Sequence, residues 1–573
     1  MSEEPARSSA RSWRPAPWLS GYRGAWFKYD LVGALTVWAL LIPESLAYAT
    51  IAGVSPVVGL YAAVPALIIY ALLGSSRHLV ISPMSATAAL SGSVAALYGD
   101  GTPEGVLRVT LVLAVAAGVM GVVAGVLRLG FLSAFVSEPV LKGFIVGLAL
   151  TIALGQVPRL LDVKAPPDGT GFFPSIWQIV TELDTVQVPS MVVGLVALAC
   201  LVLIRRFLLG VPGPLVVVLA GILASRLFAL EELGVPLVGK IPSGLPAPAL
   251  PGGSLEEYLE LAGPAAGVLL IGFVEGLAAA KTYAARFHYR LDHNRELTAL
   301  GACNVGAGLF GGMVVNGSLS KTAVNGTSGA RTQASNVMVA ALTVLTLLFF
   351  TGPFGDLPEP VLAAIVIAVV GELVNIGSLR RLYRVWSAQL GHVYRVAARA
   401  DFVAAVAALA GVLALGTLRG LLFGVAISLL LLLLRASRPH LAPLVFREGA
   451  WVDSHRVPDA EPSPDGVVVM RVEAQLFFAN AEYVADAVRD QCEPGVHAIV
   501  LDASTVPAID VTAADLLAEL QEELQGDGVE LLFAEGPSQV WEVIDAAGHN
   551  ALLANVYPSV EDAIAAAEGT PDS

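Results

Sequence analysis

Two stretches decide the fold: SPMSATAAL at 82–90 and GSLSKTAVN at 317–325. Each opens a short apolar segment. Each begins with a helix breaker, Pro83 in one and Gly317 in the other. With Ser85 set against Ser320, MSATA aligns with LSKTA. A glutamate stands upstream of both: Glu44 precedes Ser85 by 41 residues, and Glu275 precedes Ser320 by 45. The stretches read as matching parts of an internal repeat.

Working outward, the surrounding sequence is that of a membrane protein. Of 573 residues 55% are hydrophobic and 14% charged. Long, nearly uncharged runs such as 106–127, 213–230 and 421–434 approach the roughly 20 residues that cross about 30 Å of hydrocarbon. One such run fits a buried core helix; a dozen do not. We read fourteen spans, at about 30–50, 56–73, 83–98, 106–127, 134–155, 188–204, 213–230, 264–281, 297–314, 318–330, 334–351, 359–374, 400–416 and 420–434. With the N-terminus inside, the inner loops collect fourteen basic residues, among them Arg128, Arg205, Arg206, Arg286 and Arg331. The outer segments receive six, Arg108, Arg159, Lys164, Arg226, Lys240 and Arg419. This positive-inside bias places both termini in the cytoplasm. The matching stretches then open spans 3 and 10. Their offset of seven is odd, so the two copies are inverted. Residues 1–28, with Arg7, Arg11 and Arg14, carry no apolar run or cleavage site, and no signal peptide is expected.

The charge divides sharply. Residues 440–573 hold 25 acids and 4 bases, and residues 1–439 hold 23 acids and 29 bases, so the total of −15 is a basic membrane block joined to a strongly acidic one. So apolar a chain is not disordered. Three isolated cysteines exclude a disulfide scaffold and argue against a CxxC metal site. The acidity argues against nucleic acid as a partner, and no cofactor is expected.

Few ionisable residues remain at depth in the spans, and three of them stand out: Glu44, Glu275 and Lys321. A charge at mid-bilayer costs roughly 2.5–3.5 kcal/mol on insertion scales and usually marks a pathway. The alternative is a Glu–Lys pair that only locks helices. Inverted repeats with short helices at matching places indicate a secondary transporter with a mid-membrane site. There the first turns of spans 3 and 10 turn their free amides and positive dipole ends toward each other. A small anion between them would meet Ser85, Ala86, Thr87, Ser318, Leu319 and Ser320, with Lys321 adding full charge and Tyr48 and Met84 lining the site. The competing reading makes these hydroxyls ordinary interhelical contacts. For coupling, the neighbours of Glu275 on its own helix face are Ile271, Gly272, Ala278 and Ala279. None offers the oxygens sodium needs, and a carboxyl in an apolar setting holds a proton readily. Glu275, then Glu44, are the expected proton sites.

The residues IPESLAYATIAGVSPVVGLYAAVPALIIYALLGSSRHLVISPMSATAAL (42–90) and YRLDHNRELTALGACNVGAGLFGGMVVNGSLSKTAVNGTSGARTQAS (289–335) resemble SulP-type, or solute-carrier-26-type, anion transporters over nearly the whole chain. The resemblance implies a polytopic all-α membrane domain with a 7+7 inverted repeat. A core of spans 1–4 and 8–11 would move against a gate of spans 5–7 and 12–14. It also implies a C-terminal α/β STAS domain, a homodimer and the inner membrane. The family usually carries Arg where Lys321 stands, and Lys keeps the charge without the planar fork. The implied cargo is sulfate or a C4-dicarboxylate, with sodium-coupled bicarbonate symport or chloride/bicarbonate exchange or conduction as alternatives. A nucleobase symporter would leave the acidic tail unexplained, and no catalytic constellation suggests an enzyme.

The organisation expected is a segment at 1–28, a transport domain at 29–436, a linker at 437–465 and the STAS domain at 466–573. From 466 strand and helix patterns alternate: GVVVMRVEAQLFF as a strand pair or long strand, then NAEYVADAVRDQC, HAIVLDAS, TAADLLAELQEELQ and VELLFAE, as in an α/β domain. In related anti-sigma-factor antagonists a phosphorylated serine follows the loop aspartate. Here Val511 follows Asp510, so no phospho-switch is expected, and Thr512 is expected to cap the next helix.

Overall fold

The computed structural model describes residues 15–16, 18–131, 137–166, 170–208, 211–374, 376–387, 392–454 and 466–569. Arg7, Arg11 and Arg14, the first residues of the fifth expected span and part of the expected linker lie outside them. The chain forms two compact units, residues 1–387 with 401–428 and residues 388–400 with 429–573.

A helix occupies each of the fourteen apolar segments. In order they are α1 (Phe27–Ile51), α2 (Val57–Leu73), α3 (Ser85–Tyr98), α4 (Pro103–Val126), α5 (Glu138–Leu161), α6 (Val188–Phe207) and α7 (Gly213–Phe228). The second seven are α8 (Ala262–Arg286), α9 (His293–Leu309), α10 (Leu319–Thr327), α11 (Ala334–Phe349), α12 (Glu359–Leu373), α13 (His392–Leu415) and α14 (Thr417–Ala436). Among the described residues, six of these (α1, α4, α5, α6, α8 and α14) are long and apolar enough to cross a membrane. The helix starts follow local chemistry. Thr102 accepts from the Gly105 amide before α4, and Asp292 accepts from Asn294 and Arg295 before α9. The sequence reading missed the amphipathic helix at Phe172–Thr181, between α5 and α6.

Packing sorts the helices. α9 lies against α4 and α2, and α11 against α1 and α2, while α12 packs on α5 and α6. The α4–α9 crossing is made by small residues. A Cβ at Gly301 would run into the Val122 amide, and one at Gly118 into the Val305 amide. Small residues let transmembrane helices approach at backbone distance. Gly301→Val is therefore expected to force α4 and α9 apart, at a cost of roughly 1–3 kcal/mol. Thermal unfolding of the purified protein in detergent checks this; an unchanged midpoint would refute the tight crossing.

Two three-residue strands were not foreseen. β1 (Val80–Ser82) leads into α3 and β2 (Asn316–Ser318) into α10, and they pair antiparallel, Val80 with Ser318 and Ser82 with Asn316. Antiparallel pairing is what two oppositely inserted copies of one unit require.

The second unit is an α/β domain. Its sheet runs β4-β3-β5-β6-β7-β8, with β3 (Leu441–Arg447), β4 (Ala450–Asp453), β5 (Val467–Val472), β6 (Ala498–Asp502), β7 (Glu530–Ala534) and β8 (Val556–Tyr557). β5 to β8 are parallel, and β3 joins antiparallel. The segment expected as a linker thus supplies two strands: alternate apolar residues Ala442 and Leu444 are buried in the sheet core. GVVVMRVEAQLFF yields one strand, not a pair. Ile499 and Leu501 of β6 face helices α15 (Ala481–Arg489) and α16 (Val511–Gly526), while Ala498 and Val500 face α18 (Val560–Ala567); α17 (Ser538–Ala546) packs on the first face. A strand covered on both faces reads as a continuous apolar run. The cap of α16 is Asp510, not Thr512. Its Oδ1 accepts from the Ala513 amide at 2.8 Å and its Oδ2 from the Phe478 amide at 2.9 Å. Thr512 comes too late, already one residue inside the helix.

Candidate functional site

An extended segment inside a membrane protein must satisfy every backbone polar group locally. Side-chain amides do so around the β1–β2 crossing. Asn304 mimics a strand for Val315, receiving its amide at 2.9 Å and donating to its carbonyl at 3.1 Å. Asn325 donates to the His78 carbonyl at 3.1 Å, and Gln333 and Asn336 donate to Leu79 at 3.0 and 2.8 Å. The Val80 amide donates to Thr322 Oγ1 at 3.1 Å. Gly317 permits a close approach, since a Cβ there would lie 2.6 Å from Gly276 Cα on α8.

The ladder fixes where the two short helices begin. They leave opposite ends of a pair only three residues long, so both short helices start at the same crossing. Ser85 is the first residue of α3 and, with Ala86 and Thr87, is buried. Thr87 Oγ1 donates back to the Met84 carbonyl at 3.2 Å, and Met84 takes the cap position in extended conformation. Ser318 caps α10, its Oγ accepting from the Lys321 amide at 3.1 Å and lying 3.2 Å from Ser320 Oγ. Leu319 and Ser320 are exposed while Lys321, one residue on, is wholly enclosed at 0% exposure.

Lys321 reaches from α10 to α1. Its Nζ lies 2.6 Å from Glu44 Oε2, and 5.2 Å from the centre of the Tyr48 ring. Tyr48 Oη donates to the same carboxylate oxygen at 3.3 Å. The ammonium is otherwise short of acceptors: the contact with Glu44 is an ion pair rather than a well-aligned hydrogen bond. Two intramembrane charges picked out from separate spans are therefore direct partners. Glu275 stands apart from that pair. Half-buried on α8, its Oε2 accepts from Asn316 Nδ2 at 2.9 Å, and Asn316 Oδ1 accepts from the Gly317 amide at 2.5 Å. Its polar neighbour comes from β2, not from its own helix, which is why the helix-face reading missed Asn316. The signal was present in the Asn316-Gly317 dipeptide, a turn or strand-end marker. The geometry thus offers a cation, hydroxyls and two helix starts around one crossing, with one carboxylate on the cation and another on the strand.

These features define a membrane carrier for a small anion. Residues 27–396 match the model of the sulfate permease family and residues 461–563 that of the STAS domain. The chain belongs to the sulfate permease family of anion transporters, a family of carriers rather than enzymes. It is a multi-pass membrane protein with a C-terminal STAS domain. It is 37% identical over 533 residues, 92% of each chain, to a "Probable sulfate transporter" of Mycobacterium tuberculosis. It is 31% identical, over 94% of this chain and 84% of the relative, to "High affinity sulfate transporter 2" of Stylosanthes hamata. Its fold matches the murine solute carrier 26 family member A9 anion transporter in the inward-facing state, with a TM-score of 0.87 at 22% identity, covering 99% of this chain and 97% of that one. A cyanobacterial bicarbonate transporter's transmembrane domain superposes over 71% of this chain with a TM-score of 0.59, also at 22% identity, and covers 98% of that chain.

Proposed function

We propose that the protein is a proton-coupled symporter of a small dianion, sulfate in the first place and a C4-dicarboxylate as the competing cargo. The single observation that carries this reading is the enclosed pair of Lys321 and Glu44 at 2.6 Å. While the pair is intact the site is nearly neutral and has little attraction for an anion. A proton on Glu44 releases the Lys321 charge, and sulfate, which offers acceptors only, takes its place beside the free amides and hydroxyls of the two helix starts. Ser85, Ala86, Thr87, Ser318, Leu319, Ser320 and Lys321 are the proposed binding groups, lined by Tyr48 and Met84. Glu275 is a second proton site, coupled to the same crossing through Asn316. The sulfate assignment is supported by the names of the relatives.

The movement proposed is an elevator. Helices α1–α4 and α8–α11 form a core that carries the site past a gate of α5–α7 and α12–α14, a division in line with the packing of α12 on α5 and α6. The protein acts as a homodimer in the inner membrane with both termini cytoplasmic and fourteen spans. The test is uptake of labelled sulfate into proteoliposomes. An inward proton gradient without sodium is expected to drive accumulation; uptake driven by a sodium gradient alone, and indifferent to pH, would overturn the coupling.

A further inference from the structure

A cavity of about 200 Å³ lies at the ends of α1, α5 and α12 that face away from the chain's N-terminus. Its polar lining is Thr50, Gln156, Arg159 and Glu359. Arg159 is one of six basic residues that run against the positive-inside bias. Arg108 and Arg226 have carboxylate partners, Glu257 at 3.5 Å and Asp356 at 2.6 Å, and Lys164, Lys240 and Arg419 are exposed. Arg159 differs from all five. It is half-buried on the cavity, its Nη1 donates to the Thr50 carbonyl at 3.3 Å, and among the described residues no carboxylate pairs with it. Beside it Gln156 is only 5% exposed, and its Oε1 is buried without a hydrogen-bond partner. A buried amide left unsatisfied is costly unless something occupies the space before it. Amide oxygen and nitrogen are interchangeable by a flip, so Gln156 can offer two N–H donors to an anion held by the guanidinium fork.

We propose that this cavity is an outer docking site for the transported oxyanion, held by Arg159 and Gln156 before it enters the central site. Its place suits that task, because Thr50 follows Glu44 by six residues on α1, roughly 9 Å at about 1.5 Å per residue. Glu359, on the first turn of α12, opposes the anion and keeps its hold weak enough for release inward. The proposal rests on anion transport and is independent of proton coupling.

The test is sulfate uptake in proteoliposomes of sorted orientation, with efflux measured in parallel. Arg159→Gln is expected to raise the external half-saturation concentration roughly tenfold, the worth of one charge-assisted hydrogen bond. The maximal rate and the internal half-saturation should not change. Arg159→Lys should recover part of the loss, Gln156→Leu should shift the same constant less, and Glu359→Gln should lower it. An unaltered external constant overturns the proposal. So does an equal change in both directions, which would make Arg159 a latch between α5 and α1. Should the parent not carry sulfate, selenate still decides: anomalous density in this cavity in the parent, lost in Arg159→Gln, supports the site, and an empty cavity refutes it.

Discussion

Lys321→Ala is expected to reduce sulfate uptake to less than about one per cent of the parent, the loss of a charged hydrogen-bond partner to a divalent anion. The change removes a positive charge from a fully enclosed position and leaves Glu44 without its counter-ion. Removing one partner of a buried pair is strongly destabilising, so low activity alone would not separate binding from folding. The double variant Glu44→Gln with Lys321→Ala does. It leaves no buried charge at the pair and should recover the thermal midpoint. If the pair only locks α1 to α10, transport returns with stability; if Lys321 holds the anion, the double variant is stable and inactive. Lys321→Arg keeps the charge and should keep measurable uptake. Return of transport in the double variant would overturn the binding role.

The helices were legible because each leaves a contiguous trace of apolar composition and end chemistry. Pro83 and Gly317 mark real interruptions, and the offset between SPMSATAAL and GSLSKTAVN anticipates an antiparallel relation. Less was visible where function depends on elements meeting across the fold. Three-residue strands carry no periodicity, so β1 and β2 went unseen. Asn325 and Asn336 matter through the carbonyls of His78 and Leu79, distant in sequence. The expected linker failed for a similar reason: LAPLVFREGAWVD reads as a loop through its Pro443 and Gly449, yet its alternate residues complete a sheet whose other strands begin beyond residue 466. Glu44 and Lys321 were both named and a Glu–Lys pair was the alternative reading, but which glutamate meets Lys321 could not be read from residues nearly three hundred positions apart.

That partnership makes Glu44→Gln the most informative change. On the proposed coupling, a proton on Glu44 frees Lys321 and favours the anion, and its loss restores the 2.6 Å pair and expels the anion. Apparent sulfate affinity should therefore fall as pH rises. Glutamine cannot ionise, so the variant holds Lys321 unpaired at every pH. At pH above neutrality it should bind sulfate roughly tenfold more tightly than the parent, by removal of a competing charge-assisted contact. It should lose the pH dependence of binding, measured by calorimetry or by counterflow. Exchange of sulfate for sulfate should survive, because it needs no proton to leave. Accumulation against a gradient should collapse, because the energy of the proton no longer reaches the cargo. Glu275→Gln separates the two carboxylates. The substituted amide oxygen can still accept from Asn316, whose contact with Glu275 spans 2.9 Å, and the change leaves the Lys321 pair untouched. That variant should keep the pH dependence of binding even where uphill transport is impaired. If Glu275→Gln flattens the binding profile and Glu44→Gln leaves it sloped, the proton that governs the anion sits on α8, and the Lys321–Glu44 pair is only a clasp between helices.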